Sequence, residues 1–296
     1  MGTRGSPLAL AQSSQAARAL EGLNPGLTVE TVVIKTSGDL FGAPSPEVAK
    51  TLPQGAKGLW VKEIEQALLD GAIDFAAHSA KDLPALLAGG LSVAAYPERE
   101  DPRDALVAKP GLTWAGLKPG MRIATSSLRR QLLLAAAKPG LTLLPLRGNV
   151  DTRLRKLADG EYDAMVIAVA GLKRLGRGAT PHEPLDPAVM LPAPAQGALA
   201  LEIRSDRRDV AKTVGTLDHA PTRLCVEFER AFLGEVGGGC GAPVAAHARL
   251  QSGGVLLEAY FALEGETSGK RVAGLCADPG RREAFARDLA AQAKAR

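Results

Sequence analysis

The chain has 296 residues, with 36 lysines and arginines against 32 aspartates and glutamates, a formal charge of +4. That length exceeds one ordinary domain and points to two or three, each with its own core, while so small a net charge excludes binding by bulk electrostatics and leaves any anion preference to local placement of arginines. Cys225, Cys240 and Cys276 form an odd set without a C-x-x-C pair, which excludes a disulfide framework and a thiolate zinc site and suits a reducing compartment; with no apolar leader and no run of about 18 apolar residues, the reading is a soluble, cytoplasmic protein with no membrane segment.

Ser6-Pro7 ahead of Leu8, Leu10, Ala11 and Ala17 predicts a helix start, serine at the N-cap and proline in the first turn, with Arg4 just before it. Leu27 to Ile34 alternates and is rich in β-branched residues, predicting a strand that ends at Lys35-Thr36-Ser37-Gly38-Asp39. Prolines and glycines from Phe41 to Gln54 predict an irregular loop. Lys57-Gly58-Leu59-Trp60 then opens an amphipathic helix with Val61, Ile64, Leu68 and Leu69 on one face, stopped by Gly71. Ile73 to Ala77 reads as a buried strand delivering His78-Ser79-Ala80-Lys81-Asp82-Leu83-Pro84 at its carboxyl end, and Leu91 to Ala95 as another. Strand, loop, helix and strand with apolar runs is the pattern of parallel α/β architecture, whose ligands collect beyond the carboxyl ends of strands.

The polar, proline-bracketed stretch Pro97 to Asp104 predicts a linker. A second α/β unit follows, with strands near Ala105–Ala108, Arg122–Thr125, Leu141–Leu146 and Asp163–Val169 and helices near Leu128–Lys138 and Asn149–Asp159. A second proline-rich crossing, Leu191 to Gly197, leads to a strand at Ala198–Ile203. Two lobes joined by two crossings leave a cleft between them. The domains expected are residues 1–97 with 198–217, residues 103–192, and residues 220–296. The last holds a helix at Thr222–Glu235, the Cys240 loop, strands at Val244–Leu250, Val255–Leu263 and Arg271–Cys276, and a final helix at Arg281–Lys294.

Arginines recur where helices begin. Thr125-Ser126-Ser127-Leu128-Arg129-Arg130 ends a strand with capping hydroxyls and puts two arginines in the first helical turn; Arg147-Gly148-Asn149 through Arg153 repeats the arrangement, and Arg4 precedes the Ser6 helix. A helix N-terminus already carries about half a positive charge, so each cation there is disfavoured by about 0.3–1 kcal/mol unless an anion joins it. One such arginine is ordinarily a solvated surface residue. Three such starts at strand-to-helix edges read as a set of anion seats, and the lack of interleaved aromatics argues against single-stranded nucleic acid, so no nucleic-acid partner is expected.

A carboxylate at Asp82, aimed into such a cleft, suits stabilising a transient cation; its bland alternative is pairing with Lys81 or capping the turn before Pro84. His78 reads as a buried, hydrogen-bonded strand residue. Cys240 sits in Gly237-Gly238-Gly239-Cys240-Gly241-Ala242-Pro243, where glycines leave the thiol sterically open. The choice there is between an attachment or nucleophilic thiol and an incidental cysteine in a tight turn. Two other classes fit parts of the pattern: a bilobal anion receptor, which needs neither Asp82 nor Cys240, and a hydrolase using Ser79 with Lys81, or Cys240, for which no positioned histidine or oxyanion loop is found.

The blocks Arg4 to Gln12, Lys57 to Glu63, His78 to Pro84, Thr125 to Gln131, Leu146 to Val150, Ala168 to Leu175 and Gly238-Gly239-Cys240, in this order, closely resemble the porphobilinogen deaminase family. The resemblance implies an α/β fold with two periplasmic-binding-protein-like lobes plus a small C-terminal α+β domain. It implies stepwise head-to-tail condensation of porphobilinogen with release of ammonia, by a monomer without a metal, on a dipyrromethane cofactor joined by a thioether to Cys240. It makes Asp82 the catalytic carboxylate. Lys81, Thr125, Ser126, Ser127, Arg129 and Arg130 match cofactor-binding positions, and Arg4, Ser6, Lys57, Ser79, Arg147 and Arg153 match substrate-binding ones. Each pyrrole adds two carboxylates, so the growing polyanion needs several cationic seats, while loss of ammonia creates a cation that one carboxylate can stabilise.

Overall fold

A computed structural model describes residues 1–41, 55–237, 243–263 and 265–295, leaving aside the side chains of 40, 41 and 55–59. Cys240 and residues 42–54 of the expected irregular loop lie outside the described residues, as does the side chain of Lys57.

Three sheets organise the chain. The first has the order β2-β1-β3-β10-β4, from Val32–Val33, Gly2–Thr3, Phe75–Ser79, Leu199–Arg204 and Leu91–Ala95. The second has the order β7-β6-β8-β5-β9, from Thr142–Leu144, Arg122–Ala124, Ala164–Ala168, Asp104–Ala108 and Glu183–Pro184. Both repeat one plan. Three parallel strands come first, then one antiparallel strand, β10 in the first sheet and β5 in the second. The parallel architecture expected from the sequence is therefore interrupted by one antiparallel strand in each sheet, because β5 and β10 are each the first strand after a crossing and enter their sheet from the opposite direction. The third sheet is an antiparallel meander of β11 (Val244–Gln251), β12 (Gly254–Phe261) and β13 (Lys270–Cys276).

The helices start where the sequence signals lie. In α1 (Pro7–Leu23) the Ser6 hydroxyl accepts from the Ala9 amide at 3.3 Å. Two short or amphipathic helices follow, α2 (Ser37–Phe41) and α3 (Gly55–Leu69). Ser127 caps α4 (Leu128–Ala137) at the Arg130 amide, and Asn149 caps α5 (Val150–Ala158) at the Thr152 amide. α6 (Val169–Arg174) and α7 (Arg208–Val214), neither foreseen, are short. α8 (Ala220–Glu235) and α9 (Arg282–Lys294) cover the third sheet, burying Phe228, Phe232, Leu289 and Ala290. Only Val32 and Val33 of the predicted Leu27–Ile34 strand join a ladder, because β1 offers just Gly2 and Thr3 as partners.

The crossings are tied down. Arg99 donates to both oxygens of Glu229 at 2.7 and 3.0 Å, and the same carboxylate, with no exposure, accepts from the amides of Ala195 and Ala248. Ala195 has φ +60, the one non-glycine residue at positive φ among the described residues. Gly197 has φ +87, and a β-carbon there would lie 2.4 Å from the Glu100 carbonyl oxygen, so glycine is needed where the crossings touch. Asp104, assigned to the linker by its polarity, is instead the fully buried first residue of β5.

Candidate active site

The carboxyl end of β3 passes into a short 3-10 turn, Ala80–Asp82, anchored by the buried Ala80 and Leu83 and by a bond from the Ala80 amide to the Ala198 carbonyl at 3.0 Å. Burying the two apolar members leaves Lys81 and Asp82 at the mouth of the first lobe. Across from them β8 ends at Ala168, the matching position of the second sheet, and the space between is an open cavity of about 120 Å³. Four cations line it, Lys81, Arg130, Arg153 and Arg174, together with Gln12 and Ser79. No carboxylate lines it among the described residues.

Each cation is seated differently. Lys81 reaches the Gln196 side-chain oxygen at 3.4 Å, and burial pushes its pKa down to about 8 although neighbouring Asp82 pulls it upward. Arg153 donates from Nε to the Gly148 carbonyl at 2.8 Å; burial, and then Arg130, lower its pKa. Arg174 donates to the Gly197 carbonyl at 2.6 Å, its Nε is buried without a hydrogen bond among the described residues, and burial lowers its pKa to about 10 against the pull of Glu100.

Arg129 and Arg130 do not stand unneutralised, as the sequence reading had them. Arg129 is buried and donates to Asp104 at 2.8 Å and to the Leu191 carbonyl at 2.6 Å; Arg130 holds the other Asp104 oxygen at 2.6 and 3.1 Å. Burial works against the Asp104 charge, yet the two guanidinium groups outweigh it and hold its carboxyl far below the usual range. One carboxylate against two guanidinia leaves a net positive charge, and of the pair Arg130 lines the cavity. Gln196 joins the lobes, accepting from Lys81 while donating to Asp104 at 3.0 Å and to the Pro102 carbonyl at 2.8 Å.

The hydroxyls shape the turn before α4. Thr125 Oγ1 accepts from the Ser127 amide, Ser126 Oγ exchanges hydrogen bonds with the Leu146 backbone, and Ser127 caps the helix. Ser79 accepts from Gln12 at 2.7 Å. Its hydroxyl is not bonded to Lys81, whose amine turns to Gln196, so the Ser/Lys hydrolase arrangement is not formed. His78 is buried beside Glu202, Nε2 to oxygen 3.0 Å, as a structural strand residue. Asp82 is half-buried, does not line the cavity itself, and among the described residues no hydrogen bond occupies its carboxylate. Arg4 is half-buried and paired with Asp39, whereas Arg147 is exposed.

Sequence reasoning missed Arg174, Gln12, Gln196 and Asp104. Arg174 closes a short helix, where a cation is unremarkable, so the search for cations at helix starts passed it by. Asp104 looked like linker because its two partners lie 25 and 26 residues further on.

A family model described as porphobilinogen deaminase, dipyromethane cofactor binding domain, matches residues 1–212, and one described as porphobilinogen deaminase, C-terminal domain, matches residues 223–292. The chain is 48% identical over 276 residues to the porphobilinogen deaminase of Roseiflexus sp. (strain RS-1), covering 93% of this chain and 88% of that one. It is 47% identical over 256 residues to that of Chromobacterium violaceum, covering 86% and 81%. Among solved structures it is similar to the L-cystine solute receptor of Neisseria gonorrhoeae, at 15% identity and a TM-score of 0.42, covering 73% of this chain and 83% of that one.

Proposed function

The chain belongs to the porphobilinogen deaminase family, and from that premise we propose that Asp82 is its catalytic carboxylate, that Cys240 carries the cofactor through a thioether, and that the cationic cavity seats the carboxylates of primer and substrate. The protein is a hydroxymethylbilane synthase, a transferase of tetrapyrrole biosynthesis that condenses four porphobilinogen molecules head to tail with release of ammonia on a dipyrromethane cofactor. The observation that supports the cation assignments is the cavity lined by four cations and, among the described residues, by no carboxylate.

A group bearing an acetate and a propionate on each ring fits that donor set, because each carboxylate can take a guanidinium or ammonium donor without meeting a resident acid. When bound, the dipyrromethane supplies the pyrrole to which the first substrate unit is joined. Lys81, Arg130 and Arg153 hold carboxylates, with Arg174 added by its place in the cavity, and Arg4, Arg147, Ser6, Ser79 and Lys57 complete the substrate side. Thr125, Ser126, Ser127 and Arg129 act through the loop and helix start they hold in shape. Departure of ammonia breaks the bond to the aminomethyl carbon and leaves a cation on the substrate pyrrole. Asp82, its carboxylate unoccupied by hydrogen bonds among the described residues, balances that charge until the carbon–carbon bond forms and the pyrrole proton is lost.

The same proposal divides the chain into residues 1–97 with 198–217, residues 103–192 and residues 220–296, consistent with the three sheets. It also takes the working form to be a cytoplasmic monomer; the two described cysteines, Cys225 and Cys276, are free and buried. No helix among the described residues is long and apolar enough to cross a membrane.

Intact-mass measurement of the purified active enzyme tests the assignment of Cys240. The chain should carry the mass of two additional pyrrole units, and Cys240→Ser should lose the increment and the activity together. An active enzyme with the mass of the bare chain would remove Cys240 from the mechanism.

A further inference from the structure

Two neighbours fix the guanidinium of Arg4. Its Nε and Nη2 donate to the two oxygens of Asp39, the first at 3.4 Å, so one edge of the planar fork is engaged. Its central carbon lies 4.2 Å from the centroid of the Trp60 ring, so one face is covered by indole. Asp39 is itself held by the Thr36 hydroxyl at 2.8 Å and the Thr36 amide at 3.3 Å. Trp60 is seated on Gly38, where a β-carbon would come within 2.2 Å of the ring. The indole also packs against the cluster that contains Ala80 and Leu83, the residues flanking Lys81 and Asp82.

The clamp leaves something open. Nη1 of Arg4 has no hydrogen-bond partner among the described residues, and the side chain keeps 23% of its exposure. A guanidinium carries five N–H donors in a rigid plane, so gripping one edge and one face leaves the other edge able to take a second carboxylate in the bidentate manner. An unrestrained arginine would have to give up rotamer freedom when it met a ligand, whereas one already stacked and paired has given it up beforehand. Tryptophan presents the best ring face for a cation.

We propose that Asp39 and Trp60 are positioning residues that hold Arg4 with one edge of its guanidinium free for a carboxylate of the incoming pyrrole. The inference rests on the reading of Arg4 as a substrate-binding residue. It assigns Gly38 a role as well, since a side chain there would push the indole off the arginine.

The test is steady-state kinetics of cofactor-loaded wild type, Asp39→Asn, Trp60→Phe, Trp60→Ala and Gly38→Ala with porphobilinogen, with loading checked by intact mass. Losing the stacked ring or the paired carboxylate should raise KM about five- to tenfold with kcat within about twofold, Trp60→Phe falling between wild type and Trp60→Ala. Gly38→Ala, which alters neither Arg4 nor the ring, should resemble Trp60→Ala. With Trp114→Phe leaving Trp60 as the only indole, porphobilinogen should shift its emission, and Arg4→Ala should abolish that shift. Unchanged KM in Trp60→Ala and Asp39→Asn, loss of cofactor loading, a fall in kcat without a rise in KM, or an emission change indifferent to Arg4 would each overturn the proposal. Failure of the wild type to convert porphobilinogen would instead overturn the functional reading beneath it.

Discussion

Asp104 and Arg130 meet at 2.6 Å, and the aspartate exposes no surface. With Arg129 on the other oxygen, one carboxylate organises the start of α4 and ties it to the first residue of β5. Asp104→Ala would strand two cations, one of them buried, and should cost about 3–5 kcal/mol, as for breaking a buried pair from one side; chemical denaturation measures it. The folded pKa is depressed, so the stabilisation is present above the unfolded carboxylate range and is lost as pH falls through the folded value. Wild type should therefore keep this contribution down to about pH 4 and lose it only in stronger acid, and Asp104→Asn should flatten that acid limb.

Lys81 runs in the opposite sense. Burial lowers it to about 8, so above that pH the free enzyme loses one of the cavity's charges, and kcat/KM should fall. Lys81→Arg should carry the decline to higher pH. Because the unfolded lysine holds its proton to about pH 10.4, the folded state should gain stability between about pH 8 and that value. Lys81→Met should be more stable than wild type at pH 7 and lack this rise; thermal melts across the range decide it.

Asp82→Ala should keep substrate affinity and lose turnover by about a hundredfold or more, the scale of removing one preorganised electrostatic partner of a transition state. Stopped-flow mixing separates binding from chemistry. Turnover within about threefold of wild type would exclude Asp82 from the reaction.

Substrate capture by four cations should weaken with salt, because exposed parts of the cavity are screened over about 8 Å at physiological ionic strength. KM should climb between about 0.05 and 0.5 M salt. Arg153→Gln and Arg174→Gln should each raise KM about tenfold, the scale of a charge-assisted hydrogen bond, and make the climb shallower.

Local signals in the sequence were accurate where the physics is local. Ser6, Ser127 and Asn149 cap the helices they were expected to cap, and the run from β3 brings Lys81, though not Asp82, into the cavity lining. Long-range electrostatics was not legible. Asp39 lies 35 residues from Arg4, and nothing near Arg129 or Arg130 in the chain announces Asp104 as their counter-ion. The antiparallel entry of β5 and β10 was hidden for a related reason: strand direction depends on where the crossing arrives, and apolar periodicity is the same in either direction.

The position of β10 has a practical result for anyone dissecting the protein. It lies between β3 and β4, bonded along Phe75–Ser79 on one side and Leu91–Ala95 on the other, although more than a hundred residues of chain intervene. A fragment ending before Leu199 would present two bare strand edges facing a slot one strand wide, the kind of surface that recruits foreign strands and precipitates. A soluble, independently expressed first lobe therefore calls for a splice that restores residues 198–217 after residue 97, with a short linker in place of everything between.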